Sequence, residues 1–234
     1  MIRPLASSSA GNSILVDDRL LLDAGLPPKA QTKALGYRTS RLDACLVTHE
    51  HQDHARGVMA LLNAGVDVYA SNGTWSALGG WHHRAVGFPV PCETWTTRRG
   101  GWRVSPLAVQ HDAMAPVAYI VEGAGARILY LTDSGVVPAG ALGQRYDYVL
   151  IEANHSEAEL AGLVEAGESR AVRVARSHLS VEAAAAAVAD MQVDKQVWLL
   201  HMSSERGDED GFARVVAAAT DAEVLVAAEG LVGK

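Results

Sequence analysis

The chain has 234 residues, of which 49% are hydrophobic and 20% are charged, so it can bury a core and is not compositionally disordered. Its length suits one domain over residues 1–234. The formal net charge of −7 argues against a broad, non-specific footprint on duplex nucleic acid, because such binders are usually basic.

The first third of the chain predicts strands alternating with short helices. Asp17 and Asp18 separate the first two strands as a hairpin turn, and Gly36 ends the first helix. The predicted strands here are 12–16, 19–22, 42–47 and 67–70. The predicted helices are 27–35, 55–63 and 74–78.

The middle of the chain is rich in predicted strands, and the last third mixes both element types. The predicted strands are 103–110, 117–121, 127–131, 146–151, 196–200 and 223–226. The predicted helices are 157–165, 181–191 and 209–219. Strand-rich halves with helices spread between them predict an α/β fold, in which two packed sheets carry helices on their outer faces.

Neither a signal peptide nor a membrane-spanning helix is expected from the sequence. No apolar run approaches the ~20 residues that a transmembrane helix needs, and the first residues lack the apolar centre of a signal peptide. Cys45 and Cys92 do not make a disulfide framework and are expected to be reduced thiols. We therefore expect a cytoplasmic protein that does not engage a membrane.

The segment from Thr48 to His54 carries three histidines and an aspartate within six residues: His49, His51, Asp53 and His54. Imidazole nitrogens and carboxylate oxygens suit zinc, manganese or iron. His49 and His51 point the same way in an extended segment, whereas Asp53 and His54 begin the next helix and can face a second ion. A solvated histidine-rich loop is the weaker alternative.

Three further candidate ligands follow predicted strands. His111 comes after the strand 103–110, Asp133 after 127–131 and His201 after 196–200. Each alone is more often structural, but several such residues in one chain indicate a site built from loops on a rigid scaffold.

These residues belong to a wider set of motifs by which the chain resembles the metallo-β-lactamase superfamily. Within it, the chain is similar to the YycJ/WalJ-like nucleases, with PhnP-type phosphodiesterases nearby. Besides the histidine segment, the similar stretches are 7–13 (SSSAGNS), 22–25 (LDAG), 111–113 (HDA), 132–135 (TDSG), 152–155 (EANH), 177–180 (SHLS) and 200–203 (LHMS).

The resemblance implies an αββα sandwich with two divalent metal ions, zinc or manganese, at one edge. One ion would take His49, His51 and His111. The other would take Asp53, His54 and His201, with Asp133 bridging both. Asp23 would brace a ligand histidine. The chain departs from the family pattern in two places: Gln52 replaces a usually small residue, and the stretch between His155 and His178 is shortened.

The resemblance implies that such a site cleaves phosphodiesters, as a nuclease acting on DNA or RNA. A hydroxide shared by the ions is the expected nucleophile, and Asp53 helps to orient it. His178 is the candidate general acid, although it also suits a structural role at a helix N-terminus. Candidate substrate contacts are Ser9, Asn12, His155 and His178, where His155 could also support a ligand or occupy a turn.

Two basic segments could contact nucleic acid. Segment 95–103 interleaves tryptophans with arginines and could stack bases, but we favour the interpretation as a packed hairpin. Arg170, Arg173 and Arg176 recur every third residue and fit a phosphate-facing stripe or a solvated face equally well.

Other functions stay open at this stage. The acidic charge and short length suit a phosphodiesterase for small substrates such as cyclic nucleotides. A thiolester or lactam hydrolase could use the same ions, and a scaffold with a relict site is the non-catalytic alternative. A homodimer is possible.

Overall fold

The computed structural model describes residues 1–80, 82–203 and 208–228. The strands within these ranges are, in chain order, β1 (Ile2–Ser8), β2 (Gly11–Val16), β3 (Leu20–Leu22), β4 (Ala44–Leu46), β5 (Val68–Ser71), β6 (Ala85–Phe88), β7 (Trp95–Thr96), β8 (Arg103–Ala108), β9 (Val117–Gly123), β10 (Ala126–Leu131), β11 (Arg145–Glu152), β12 (Gln192–Leu200) and β13 (Glu223–Val226). They form two sheets. One has the order β1-β2-β3-β4-β5-β6 and the other β13-β12-β11-β10-β9-β8-β7.

Helices connect many of these strands. They are α1 (Pro28–Ala34), α2 (Gln52–Ala55), α3 (Val58–Asn63), α4 (Asn72–Leu78), α5 (Glu157–Glu165), α6 (Ser169–Ser177), α7 (Val181–Ala189) and α8 (Glu209–Ala217), with short 3-10 turns at Thr39–Arg41 and Ala139–Ala141. No helix in the described ranges is both long and apolar enough to cross a bilayer.

Three layers of buried side chains hold the fold together. Leu22, Tyr119 and Trp198 belong to the layer between the two sheets. Leu61 and its neighbours pack α3 on the outer face of the first sheet. Val188 and Phe212 pack α7 and α8 on the outer face of the second. Helices therefore cover both outer faces, and the predicted αββα sandwich is confirmed.

Strand direction decides where the loops that follow the strands meet. Strands β3, β4, β5 and β6 run parallel, and so do β10, β11, β12 and β13. Strand β8 is antiparallel to β9, which is antiparallel to β10, so β8 and β10 share one direction. The loops after β8, β10, β11 and β12 therefore leave the second sheet at the same edge, where a site can be built. The loop after β4 leaves the first sheet at the end of its parallel strands.

The structure departs from the predicted elements in several places. The helix predicted over 55–63 is two helices, α2 and α3, separated near Gly57, whose N–H donates to Ala24 O at 2.7 Å. Strands β1 and β6 and helix α6 were not predicted, whereas β7 pairs antiparallel with β8 as the hairpin interpretation of segment 95–103 requires. The sequence of β1 does not alternate regularly between apolar and polar residues, and the last three residues of the strand are only half-buried. The segment is a strand because it pairs antiparallel with β2, and the local sequence pattern does not predict that pairing.

Candidate metal centre

The first donor cluster consists of His49, His51 and His111. The Nε2 atom of His49 lies 3.0 Å from Nδ1 of His51, which lies 3.2 Å from Nε2 of His111. The three ligand atoms are within 4.8 Å of one another. Three imidazole nitrogens that face one another, with His49 buried, are a donor set that could hold a cation.

The second cluster consists of Asp53, His54, Asp133 and His201, whose ligand atoms also lie within 4.8 Å of one another. The Oδ2 atom of Asp133 lies 2.6 Å from Nε2 of His54 and 3.4 Å from Nε2 of His49. Asp133 therefore stands between the two clusters. This is the position that a residue serving two cations must occupy.

In His54 and His111, a hydrogen bond at Nδ1 leaves the Nε2 atom available as a ligand. His54 donates from Nδ1 to Asp23 at 2.7 Å, and His111 donates from Nδ1 to the carbonyl of Ser177 at 2.9 Å. A histidine that donates through one nitrogen offers a lone pair at the other, which is the usual arrangement in metal sites. The donor set therefore fits divalent cations.

Asp23 holds the His54 ring of the second cluster in place through a hydrogen bond. Its carboxylate accepts hydrogen bonds from the Thr48 backbone N–H at 2.8 Å and from the Tyr130 hydroxyl at 2.8 Å, in addition to His54. Asp23 is fully buried. The bracing contact that the resemblance implied for Asp23 is therefore made with His54.

Three residues of the centre have a left-handed backbone. Asp23 has φ 58°, Asp133 φ 48° and His201 φ 49°. Non-glycine residues in this region are strained by ~1–3 kcal/mol each, and such strain persists where surrounding structure dictates it. Each of the three directly follows or closely follows a strand end, so the chain turns sharply to direct its side chain into the centre.

Charges around the centre favour cations. Burial lowers the pKa of His49 well below its usual value. Burial also opposes charge on His54, but the carboxylates of Asp133 and Asp23 outweigh it and raise its pKa well above the usual value. Burial opposes ionisation of Asp133 too, yet His201 and His54 hold its pKa well below the usual range. A buried carboxylate that remains ionised attracts a metal cation.

Sequence reasoning gave Glu152 no role, and the structure places it at the centre. Its Oε1 lies 2.7 Å from Nδ1 of His178 and 3.0 Å from Nδ1 of His201. Its ligand atom also groups with those of Asp133, His178 and His201 within 4.8 Å. The sequence signals were its place at the end of the apolar strand β11 and its membership of the stretch 152–155 (EANH), and neither assigned it a contact.

His178 lies at the rim of the centre, with 11% of its side chain exposed. Its ring stacks on that of His201, with centroids 5.4 Å apart, and meets that of His111 edge-on at 5.3 Å. Burial lowers its pKa, but Glu152 and Asp133 outweigh burial and raise it to about 9. Its role as general acid stays a prediction.

The predicted substrate contacts occupy different positions. Ser9 is exposed and lines a cavity beside the centre together with His155 and His178. Asn12 is buried, and its amide nitrogen lies 3.0 Å from Nε2 of His54 and donates to Ser8 O at 3.0 Å. Asn12 therefore touches a candidate ligand, which favours a bracing position. Its contact with substrate stays a prediction.

Two glycines allow the loops to meet closely. A Cβ atom at Gly25 would overlap the carbonyl of Asp53, and one at Gly135 would overlap the carbonyl of Arg176. Gly25 therefore lets the turn after β3 press against the histidine segment. Gly135 likewise lets the Asp133 loop press against the end of α6.

The tryptophan–arginine segment lies at the start of β8, whereas His111 follows its end. Trp102 is buried and donates from Nε1 to Asp43 at 3.2 Å, and Trp95 stacks on Tyr69 with centroids 4.7 Å apart. A six-residue strand is ~20 Å long, which separates this segment from the centre. These contacts favour the packed hairpin over a base-stacking surface.

A family model described as the beta-lactamase superfamily domain matches residues 18–202. The chain belongs to the beta-lactamase superfamily. The matched range contains the whole of both donor clusters, so the superfamily assignment and the geometry concern the same part of the chain.

Two relatives carry nuclease names. "Exodeoxyribonuclease WalJ" of Streptococcus pneumoniae is 35% identical over 166 residues, which is 64% of this chain and 61% of the relative. The match therefore spans less than two thirds of that relative's length. "Exodeoxyribonuclease YycJ" of Bacillus anthracis is 31% identical over 218 residues, 85% of this chain and 81% of the relative. The resemblance to the YycJ/WalJ-like group is confirmed.

Among solved structures, the metallo-beta-lactamase fold protein YhfI from Bacillus subtilis superposes with a TM-score of 0.76 at 16% identity, covering 100% of this chain and 98% of that one. At such low identity the likeness concerns the fold alone, and it agrees with the αββα architecture described above.

Proposed function

We propose that this protein is a metal-dependent phosphodiesterase that acts as a nuclease on DNA or RNA. The observation that carries the proposal is the pair of donor clusters joined by Asp133, whose Oδ2 lies within 3.4 Å of His49 Nε2 and 2.6 Å of His54 Nε2. Two relatives are named exodeoxyribonucleases, which favours a DNA strand as the substrate.

In this proposal His49, His51 and His111 hold one divalent ion, and Asp53, His54 and His201 hold another, with Asp133 shared. Divalent ions bound there would lower the pKa of water and neutralise charge on the scissile phosphate. Imidazole and carboxylate donors with no thiolate suit zinc or manganese. No cysteine belongs to either donor cluster among the residues that the structure describes.

The chain's own residues complete the chemistry. Asp53 is partly exposed, with its Oδ2 3.5 Å from His54 Nε2 and 3.6 Å from His201 Nε2, so it can orient an attacking water. His178 can donate a proton to the departing oxygen, because Glu152 and Asp133 favour its protonated form. Ser9 and His155 line the adjacent cavity and can hold the strand.

The test is a comparison of substrates with the purified full-length chain supplied with manganese or zinc. We expect hydrolysis of bis-nitrophenyl phosphate and of DNA, and none of nitrocefin. Cyclic nucleotides and a thiolester in the same panel represent the small-substrate phosphodiesterase and the thiolester hydrolase. Rapid β-lactam or thiolester hydrolysis without phosphodiester cleavage would refute the proposal.

We also propose that the protein is cytoplasmic, and fractionation of the source cells tests this location.

A further inference from the structure

A cavity of about 540 Å³ lies at the end of the first sheet that is opposite to the candidate metal centre. Residues near the start of β1, at the end of α1 and just before β4 line it, among them Arg3, Lys33 and Arg41. Sites for small organic ligands have volumes of ~300–1,000 Å³. The cavity therefore has room for a ligand of nucleotide size.

The first sheet separates this cavity from the candidate metal centre. Arg3 near the start of β1 lines the cavity, whereas Ser7 near the end of β1 accepts a hydrogen bond from the His201 backbone N–H at 3.0 Å. Four residues of strand separate Arg3 from Ser7, which is roughly 13 Å at ~3.3 Å per residue. Asp18 precedes β3 and lines the cavity, whereas Asp23 follows β3 and belongs to the surroundings of the centre. The cavity is therefore a separate site.

The cavity concentrates positive charge in a chain that is acidic overall. Residues 24–42 contain four basic residues and no acidic residue, although the whole chain has 20 Lys and Arg against 27 Asp and Glu. Three of the four, Lys33, Arg38 and Arg41, line the cavity and are exposed. Within the part of the chain that the structure describes, none of these three side chains makes an ion pair. Their charges are therefore available to a ligand.

Cations that share a cavity repel one another unless an anion lies between them. The Arg41 N–H donates to the Arg38 carbonyl at 2.9 Å in a 3-10 turn, and side chains three residues apart in such a turn project to the same side. Asp18 is the only acid among the described residues that line the cavity, and it pairs with Arg3 at 3.1 Å. An anionic ligand would relieve the remaining repulsion.

Apolar surface lies beside these charges. Leu15, Leu35 and Leu42 line the cavity and are each at most 5% exposed. Tyr37 is 77% exposed and has a left-handed backbone with φ 58°, and both of its chain neighbours line the cavity. Non-glycine residues in that conformation are strained, and they cluster at ligand sites. Because aromatic rings stack on nucleobases, Tyr37 is suited to hold the base of a nucleotide.

We propose that this cavity binds a nucleoside polyphosphate, with the phosphates against Lys33, Arg38 and Arg41 and the base on Tyr37. Such a ligand combines several negative charges with a flat apolar base, which matches both kinds of surface. Lysine and arginine bind phosphate oxygens through charge-assisted hydrogen bonds. The inference does not rest on the proposed nuclease function, because no residue of the donor clusters lines this cavity.

The test is calorimetric titration of ATP into the full-length chain, loaded with zinc and freed of excess metal. Low ionic strength is used, because salt screens exposed charges. We expect the affinity to fall in the order ATP, ADP, AMP, and adenosine should not bind. Tripolyphosphate should bind at least ~10-fold more weakly than ATP, because it lacks the base that stacks on Tyr37. No binding of ATP, or equal affinities for ATP and either adenosine or tripolyphosphate, would overturn the proposal.

Variants locate the bound nucleotide. Lys33→Gln and Arg41→Gln each remove one lining charge at an exposed position, and each should weaken ATP binding at least ~10-fold. Lys29→Gln is the matched control, because Lys29 lies one turn earlier on α1, is exposed and does not line the cavity. It should leave the affinity unchanged. Affinities equal to that of the wild type in both Lys33→Gln and Arg41→Gln would contradict the assignment.

A variant of the metal centre excludes binding of the phosphates to the zinc ions. His51→Ala removes a proposed metal ligand and should still bind ATP as the wild type does. Loss of ATP binding in His51→Ala, with binding retained in Lys33→Gln, would place the nucleotide at the centre and overturn the proposal. All of these readouts are binding affinities, so the outcome is independent of whether the protein cleaves DNA.

A nucleic-acid strand is the alternative occupant of a basic surface beside an aromatic residue. A single-stranded oligonucleotide of ~12 nucleotides, with phosphorothioate linkages that resist cleavage, is therefore added as a competitor of ATP. We expect no displacement at concentrations at which ADP displaces ATP, because the cavity has room for one nucleotide. Displacement by the oligonucleotide at lower concentrations than ADP would assign the surface to a strand and overturn the proposal.

Discussion

The Oε1 atom of Glu152 lies 2.7 Å from Nδ1 of His178. The same carboxylate accepts the backbone N–H groups of Ser134 and Leu179, each at 3.2 Å, and is fully buried. These bonds fix the carboxylate, which in turn fixes the orientation of the histidine ring. His178 is therefore held with Nδ1 towards the interior and its other nitrogen towards the rim.

His178→Ala should keep the fold and the bound metal but lose roughly 10²- to 10⁴-fold in rate, the range for general acid–base groups. The loss should be smaller with a nitrophenyl ester than with DNA, because nitrophenolate departs with little protonation. Rates on both substrates, with metal analysis of the same sample, check this. An emptied metal site, or equal losses on both substrates, would remove the general-acid role.

Glu152→Gln should act through His178. The amide retains the volume but removes the charge that favours a proton on His178, so the basic limb of the pH–rate profile should shift to lower pH. Because Glu152 also lies 3.0 Å from His201 Nδ1, metal affinity should weaken by roughly 10- to 100-fold. The matched variant Glu157→Gln, on an exposed site in α5, should change neither. An unshifted profile in Glu152→Gln would contradict the coupling.

Asp133→Ala should impair both metal positions, because Asp133 lies between the two donor clusters. Elemental analysis of the wild-type chain should give up to two ions, and the variant should lose from both positions. His111→Ala is the comparison, since it belongs to one cluster only and should leave the other ion bound. Full occupancy of one position with full activity in Asp133→Ala would show that it is not shared.

The proposed ligands could be predicted because each is marked by residue type and by its place after a strand. His49, His51, Asp53 and His54 come from one segment, and Asp133 follows an apolar strand that pattern alone reveals. Glu152 could not be predicted, since its partners lie 26 and 49 residues further along the chain. The cavity beside His155 was equally hidden, because it exists only where separate loops meet.

Helix α6 shows the same limit at the level of secondary structure. Arginines recur at every third position from Arg170 to Arg176, but this spacing alone does not predict a helix. In the structure α6 spans Ser169–Ser177 and Arg173 faces the cavity beside the centre. The three-residue spacing places these arginines near one face of α6, which only the position of the helix reveals.

Gly25→Ala should damage the centre, because the added Cβ would overlap the Asp53 carbonyl. Backbone atoms cannot move aside as a flexible side chain can, so we expect a loss of ~1–3 kcal/mol in stability together with weaker metal binding. Gly162→Ala is the control, since no atom lies within 4 Å of its added Cβ in α5, and it should stabilise by ~0.5–1 kcal/mol. Thermal unfolding and metal analysis check both, and equal melting temperatures would contradict the close-approach argument.

Asp43 offers a prediction about stability that is independent of metal. Its side chain is 2% exposed and accepts hydrogen bonds from Arg19 Nη2 at 2.7 Å and from Trp102 Nε1 at 3.2 Å. Burial raises its pKa, but Arg19 and Trp102 outweigh burial and hold the pKa below the usual value. A carboxyl whose folded pKa is depressed stabilises the protein above its unfolded pKa of ~3.9. That contribution disappears as the pH falls through the folded pKa.

Asp43→Asn should therefore lower the free energy of unfolding by ~1–2 kcal/mol near pH 7, the scale of hydrogen bonds to a charged group with a half-exposed partner. The difference from the wild type should shrink as the pH falls from ~4 through the lower folded pKa, below which the wild-type carboxyl is also neutral. Urea unfolding followed by tryptophan fluorescence at several pH values measures it. Asp18→Asn is the control, because its pair with Arg3 is exposed and should contribute less than ~1 kcal/mol. A difference for Asp43→Asn that stays constant across this range would mean that the side chain stabilises by packing and not by its charge.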